Sequence, residues 1–253
     1  MSWELFLLIA GGGFLAAFVD SVVGGGGLVS VPVLLTAGLP PHVALGTNKL
    51  AGTVGSFTSM LTFIRSGKVE LRVALRLLPL TVVGAAGGTL LLQQVPSDWL
   101  RPLVVAMLIL ITLYTIFKKS WGSDGAQRAA FTRRAVVILA VAAFVLGGYD
   151  GFFGPGTGSF LIFVFLLAGY DFVRSAGNAK VLNFGSNIAS LITFALLGSV
   201  DWRIGLTMSV FMVLGALTGS RLAIRQGAKY VRPLFIAVSS LLILRQAWEL
   251  LFR

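Results

Sequence analysis

Long apolar runs fill this chain, and four ionisable residues, Asp20, Lys49, Asp150 and Lys180, fall inside them or at their edges. An ionisable side chain at bilayer depth costs several kcal/mol unless it is paired or hydrated, so such residues are functional candidates by default. That the runs belong in lipid follows from composition: 57% of the 253 residues are hydrophobic, 11% are charged, and the mean hydropathy is +0.93. A spanning helix needs roughly 20 apolar residues to cross about 30 Å of hydrocarbon, which leaves room for about eight to ten spans and almost nothing else.

The four residues belong to two similar stretches. Asp20 to Lys49 reads DSVVGGGGLVSVPVLLTAGLPPHVALGTNK, and Asp150 to Lys180 reads DGFFGPGTGSFLIFVFLLAGYDFVRSAGNAK. Each sets an aspartate before a glycine-rich break, then a short apolar segment, then a lysine. Glycine lets the backbone leave helical geometry, and the first amides of the half-helix that follows lack intrahelical partners. Those donors, with the positive end of the helix dipole, suit a small oxyanion. Gly24, Gly26, Gly154 and Gly156 are therefore candidate backbone contacts, and Lys49 and Lys180 candidate charged ligands. The alternative for the lysines is snorkelling, since both fall near the expected starts of their spans. Asp20 and Asp150 are ion-pair partners of the lysines, caps of the half-helices, or proton carriers. Asn183, Asn187, Thr53 and Ser56 follow the lysines at helical spacing and, with Asn48 and Asn178 beside them, extend the candidate site.

Interruptions of the apolar pattern predict an all-helical chain with segments near 3–23, 28–39, 47–64, 73–92 and 102–117, then 135–149, 159–169, 178–197, 204–223 and 233–251. The second of each five is short, about 18 Å as a helix for the first copy, and either spans a thin place or is re-entrant. A shift of 131 residues aligns 46–103 with 177–234 without a gap at 17 identities in 58 positions, including Lys49 with Lys180 and Arg72 with Arg203. This is an internal duplication: repeat 1 over 1–117, a linker over 118–134 and repeat 2 over 135–253. The basic residues change sides between copies. Arg65, Lys68, Arg72 and Arg76 crowd one loop of the first, and Arg221, Arg225, Lys229 and Arg232 crowd the next loop of the second. The positive-inside rule then makes the repeats inverted, the linker cytoplasmic and both termini external.

Several classes of function find no support. The net charge of +11 is explained by loop residues that set orientation, so nucleic acid is not an expected partner. With no cysteine and a single histidine, His42, read as a loop residue beside Pro40 and Pro41, no metal or cofactor site is expected and no enzyme. The glycine run follows no strand and lacks the lysine and hydroxyl of a nucleotide-binding loop. Gly84, Gly87, Gly88, Gly215 and Gly219 are expected to pack helices.

The Asp-x-x-x-Gly-x-Gly pattern, the Gly-x-Asn-Lys of Gly46 to Lys49 and the Gly-Asn-x-Lys of Gly177 to Lys180 resemble the TauE/SafE family of sulfite and organosulfonate exporters over essentially the whole chain. The second copy departs from the first, with Pro155 and Thr157 among its glycines. The resemblance implies a multi-pass transporter of the bacterial inner membrane, moving small sulfur-containing anions, usually outward. The expected partners are thus a small anion, the lipid bilayer and a coupling proton or cation. Inverted repeats with broken helices suit alternating access in a secondary transporter. An anion channel, or a transporter of a different small organic anion, is the alternative.

Overall fold

A computed structural model describes residues 2–96, 98–99, 102, 106, 109 and 133–226, and the described chain is helical. Among the described residues, four helices are delimited ahead of the linker: α1 (Trp3–Val23), α2 (Gly27–Thr36), α3 (Pro41–Arg65) and α4 (Leu71–Gln93). Four follow it: α5 (Arg133–Phe152), α6 (Thr157–Leu167), α7 (Phe172–Leu196) and α8 (Trp202–Gln226). α1, α4, α7 and α8 are long and apolar enough to cross a membrane. The expected segments at 102–117 and 233–251 and the linker fall almost entirely outside the described residues.

The glycines stop helices where expected. α1 ends at Gly24, with φ of 76°, followed by Gly25 at 93°; in the second copy Gly154 and Gly156 have φ of 99° and 88°. These backbone conformations are strained for any residue with a Cβ. The helices beyond the breaks have only 10 and 11 residues, roughly 15–17 Å or about half the hydrocarbon thickness.

Two boundaries differ from expectation in a way that matters. α3 begins at Pro41 and α7 at Phe172, each six residues before the expected start. The cause is local: Pro41 takes the first helical position, where no amide hydrogen is required, and the Asp171 side chain caps α7 by accepting from the Arg174 amide at 2.9 Å. Lys49 and Lys180 consequently lie eight residues inside their helices, about 12 Å along the axis, and both are buried. His42, expected in a loop, lies in the first turn of α3.

Contacts between the two halves come in reciprocal pairs. Thr47 Oγ1 accepts from the Asp201 amide at 2.9 Å, and Asn178 Oδ1, at the matching position, accepts from the Glu70 amide at 2.7 Å. A Cβ on Gly46 would strike the carbonyl of Ser199, and one on Gly177 that of Lys68. Gly84 on α4 lies against Phe144 of α5, and Gly215 on α8 against Phe14 of α1. Corresponding positions of the two halves thus meet partners that themselves correspond. Removing either side-chain acceptor leaves a part-buried amide without its partner, at about 1 kcal/mol. Thr47→Val and Asn178→Ala are each expected to lower the melting temperature in detergent by similar amounts, while leaving anion affinity unchanged.

The exterior is apolar, with Val83, Leu90, Val141, Leu206 and Val210 all more than half exposed. The polar side chains are gathered inward, Asn183, Asn187, Ser56 and both lysines among them. This is the reverse of a water-soluble domain, where buried polar groups are the exception, and it fits a chain whose solvent is lipid.

Candidate functional site

The two glycine breaks meet. A Cβ on Gly24 would collide with the backbone of Gly158 and Ser159, one on Gly27 would come within 3.0 Å of Pro155 Cα, and Ser159 Oγ donates to the carbonyl of Val23 at 2.9 Å. Only residues without side chains allow backbones to approach this closely. The start of α2 is thereby held beside the start of α6.

At this junction the lysines cross between halves. Lys49 Nζ lies 2.9 Å from Asp150 Oδ1 and also donates to the Asp150 carbonyl. Lys180 Nζ lies 2.6 Å from Asp20 Oδ2, while Asp20 Oδ1 accepts from the Gly26 amide at 3.2 Å. Both aspartates are therefore ion-paired, and Asp20 also holds the amide at the start of α2. Each pair joins one half to the other and leaves the site formally neutral. A buried pair of this kind is weak evidence for stability, because desolvation offsets the attraction, but breaking it by removing one member is costly.

The pairs are not equivalent. A polar cavity of about 40 Å³ is walled by Asp20 of α1, Gly25 to Gly27 and Ser30 at the start of α2, Asn48, Lys49, Gly52, Gly55 and Ser56 of α3, Asp150, Gly154 and Gly158 of the second break, and Asn183 and Asn187 of α7, with Ala16, Ala17 and Met212 completing it. At roughly 10–15 Å³ per water centre, it has room for about three waters or one small oxyanion. Lys49 stands in this wall, whereas Lys180, wholly buried on Asp20, does not. Asp150 Oδ2 is buried and has no hydrogen-bond partner among the described residues.

Of the residues anticipated from sequence, Asp20, Gly26, Asn48, Lys49, Ser56, Asp150, Gly154, Asn183 and Asn187 come together in the wall. Five stand outside it. Asn178 holds the Glu70 amide, Thr53 Oγ1 donates back to the Lys49 carbonyl at 2.7 Å, Gly24 packs on the second break, Gly156 caps α6 in the left-handed conformation, and Lys180 holds Asp20. The backbone donors of the breaks are partly spoken for: the Gly26 amide serves Asp20, the Leu28 amide serves Gly25 and the Thr157 amide serves Gly154.

Sequence reasoning passed over Ser30 and Gly52. Ser30 Oγ donates to Asn48 Oδ1 and orients that amide. A Cβ on Gly52 would stand 3.1 Å from Asn187 Oδ1, so the glycine makes room for the amide of the other half. The signal was present in the repeat alignment, where Gly52 matches Asn183 and Ser56 matches Asn187. Large polar groups on one copy face small residues on the other.

The family model for the sulfite exporter TauE/SafE matches residues 9–245. A "Probable membrane transporter protein ORF9" of a Sinorhizobium species is 41% identical over 241 residues, covering 95% of this chain and 90% of that protein. A "Probable membrane transporter protein" of Haemophilus influenzae is 37% identical over 239 residues, at 94% and 92% coverage. The "Probable membrane transporter protein YfcA" of Escherichia coli K12 is 39% identical over 229 residues, at 90% and 84% coverage. No solved structure matches the chain. Matched over nearly its whole length by that family model, and carrying the apolar helices such a protein requires, the chain belongs to the TauE/SafE family of transmembrane transporters.

Proposed function

We propose that the protein is a secondary transporter exporting a small sulfur oxyanion, sulfite or a sulfonate, across the bacterial inner membrane by alternating access. The observation that carries this reading is Lys49, 1% exposed, in the wall of a polar cavity where two glycine breaks meet. A buried ammonium among amide and hydroxyl groups offers an anion a cation and donors at once. Asn48, Asn183, Asn187 and Ser56 are the neutral ligands, with the backbones at Gly26 and Gly154 behind them. Sulfite comes from the description of the family model, and the 40 Å³ cavity is of a size for such an ion.

Alternating access is supported by the ion pairs, since each ties one half of the chain to the other and each must open if the halves rock. The halves correspond to repeat 1 (1–117) and repeat 2 (135–253), inverted in the membrane with the linker cytoplasmic and both termini outside. That orientation rests on the exchange of basic residues between corresponding loops.

Flux into proteoliposomes tests the reading, with sulfite, sulfoacetate, sulfate and thiosulfate as candidate cargo. Saturable flux of a sulfur oxyanion is the expected outcome. A large conductance that does not saturate identifies a channel instead, and transport confined to carboxylates transfers the site to a different organic anion.

A further inference from the structure

We propose that Asp150 sets the charge of the cargo: its carboxylate takes up one proton as the anion enters, so that the site accepts monoanions and discriminates against dianions. This rests on the cavity being the anion site and assigns that site a charge rule.

The two carboxylates of the cavity wall differ in how their oxygens are used. Asp20 has both engaged, Oδ2 by Lys180 and Oδ1 by the Gly26 amide. Among the described residues, Asp150 has only Oδ1 engaged, by Lys49, and its Oδ2 is buried without a partner. A proton can therefore be added at Asp150 Oδ2 without breaking any bond, whereas at Asp20 it must displace one. A buried oxygen left unsatisfied is costly, and a proton there gains a use when an oxyanion arrives to accept from it.

Charge gives the stoichiometry. Lys49 with Asp150 and Lys180 with Asp20 sum to zero before any cargo enters. An anion approaching Lys49 competes with a carboxylate already 2.9 Å from the same ammonium. An anion crowded against that carboxylate in a poorly solvated space gives the site an excess negative charge, which one added proton cancels. One monoanion with one proton on Oδ2 keeps the site neutral and turns Asp150 from competitor into donor. A dianion with the same proton leaves one uncompensated negative charge, which a dry cavity penalises heavily. The proton comes from the aqueous phase that delivers the anion, and both leave together.

Among the described residues, other groups do not duplicate this role. Facing Asp150 are Lys49 of α3 and, on α5 itself, Tyr149, whose hydroxyl donates to the Pro155 carbonyl at 2.6 Å. α4 presents Gly84, Ala85, Gly88 and Thr89 to this part of α5. Asp20 and Lys180 form the second, fully engaged pair.

Binding to the purified full chain in weakly buffered detergent solution, with a pH indicator present, tests the proposal. Methanesulfonate serves as a permanent monoanion, sulfate as a dianion, and sulfite as a check on the site. The expected result is uptake of about one proton per methanesulfonate bound, affinity falling up to about tenfold per pH unit on the alkaline side, and sulfate binding at least about tenfold more weakly. Asp150→Asn, which carries the charge of the protonated carboxyl, is expected to bind methanesulfonate without proton uptake and with an affinity that no longer falls on the alkaline side, and to keep the discrimination against sulfate. Should that variant not accumulate, the wild-type proton count and the sulfate comparison decide alone. Binding without proton uptake, or equal affinity for sulfate and methanesulfonate, overturns the proposal and leaves the anion site standing. If none of the three anions binds, the anion site falls and the charge rule with it.

Discussion

Replacing Lys49 and Asp150 together, as Lys49→Ala with Asp150→Asn, is expected to abolish anion binding, whereas Lys180→Ala with Asp20→Asn is expected to retain it. Both double variants remove one crossing ion pair and both leave the site formally neutral, so neither carries the roughly 3–5 kcal/mol expected for stranding a buried charge. They differ in what faces the cargo. Lys49 stands in the cavity wall and Lys180 does not. Asn at position 20 can still accept from the Gly26 amide through its carbonyl oxygen, as Asp20 Oδ1 does, so the first break keeps its shape. The single variants Lys49→Ala and Lys180→Ala should both lose binding, because each strands a carboxylate that lines the cavity and gives it a net negative charge. A loss of about 3–5 kcal/mol corresponds to roughly 10²- to 10⁴-fold in affinity. Equilibrium binding of sulfite to the folded variants is the measurement. If the Lys180→Ala, Asp20→Asn protein is as inert as its counterpart, the two lysines act alike on the anion and the inequality of the pairs has no functional meaning.

The second large effect concerns the packing glycines. Gly84→Ala, Gly88→Ala, Gly215→Ala and Gly219→Ala are expected to reduce the yield of folded protein severely, and Gly87→Ala to leave it unchanged or raise it slightly. At Gly84 an added Cβ meets the Phe144 carbonyl, at Gly88 the Gly148 carbonyl, at Gly215 the Phe14 carbonyl and at Gly219 the Phe18 carbonyl. Each obstacle is backbone in a neighbouring helix and cannot turn aside as a side chain can. Overpacking typically costs about 1–3 kcal/mol even where side chains can adjust. Gly87 has nothing within 4 Å of the added carbon, so its replacement contributes only a reduced freedom of the unfolded chain, about 0.4–1 kcal/mol in favour of folding. Fluorescence-detected size-exclusion of the five variants checks this. It also separates Gly87 from the group: sequence spacing placed it with the packing glycines, and the structure turns it away from them.

The helices themselves were legible because their limits are set by nearby chemistry. α1 ends at Val23 as the glycine run requires, and the short α2 and α6 follow the two breaks. Where prediction ran short, at the starts of α3 and α7, the polar and small residues of 41–46 and 172–177 concealed helical turns buried against the other half, with Gly46 on the Ser199 carbonyl and Gly177 on the Lys68 carbonyl. That shift settled the position of the lysines. Starting six residues earlier than expected, each helix carries its lysine inward to a carboxylate of the other half.

The sequence by itself determined that this chain is a helical membrane protein of the TauE/SafE family, duplicated, with paired aspartates and lysines flanking glycine breaks. Those properties depend on composition, on local backbone freedom and on comparison of residues at a fixed offset, all of which one dimension records. Only the tertiary structure decided that Lys49 pairs with Asp150 and Lys180 with Asp20, that both members of the first pair border the cavity while only Asp20 of the second does, and that Asn178 secures a turn where Asn183 and Asn187 face the cavity. The matching positions of the two repeats are chemically alike, so pattern alone treats them as equals. Their difference arises from what each meets across more than a hundred residues of chain, where Gly52 and Ser56 stand in one copy and Asn183 and Asn187 in the other.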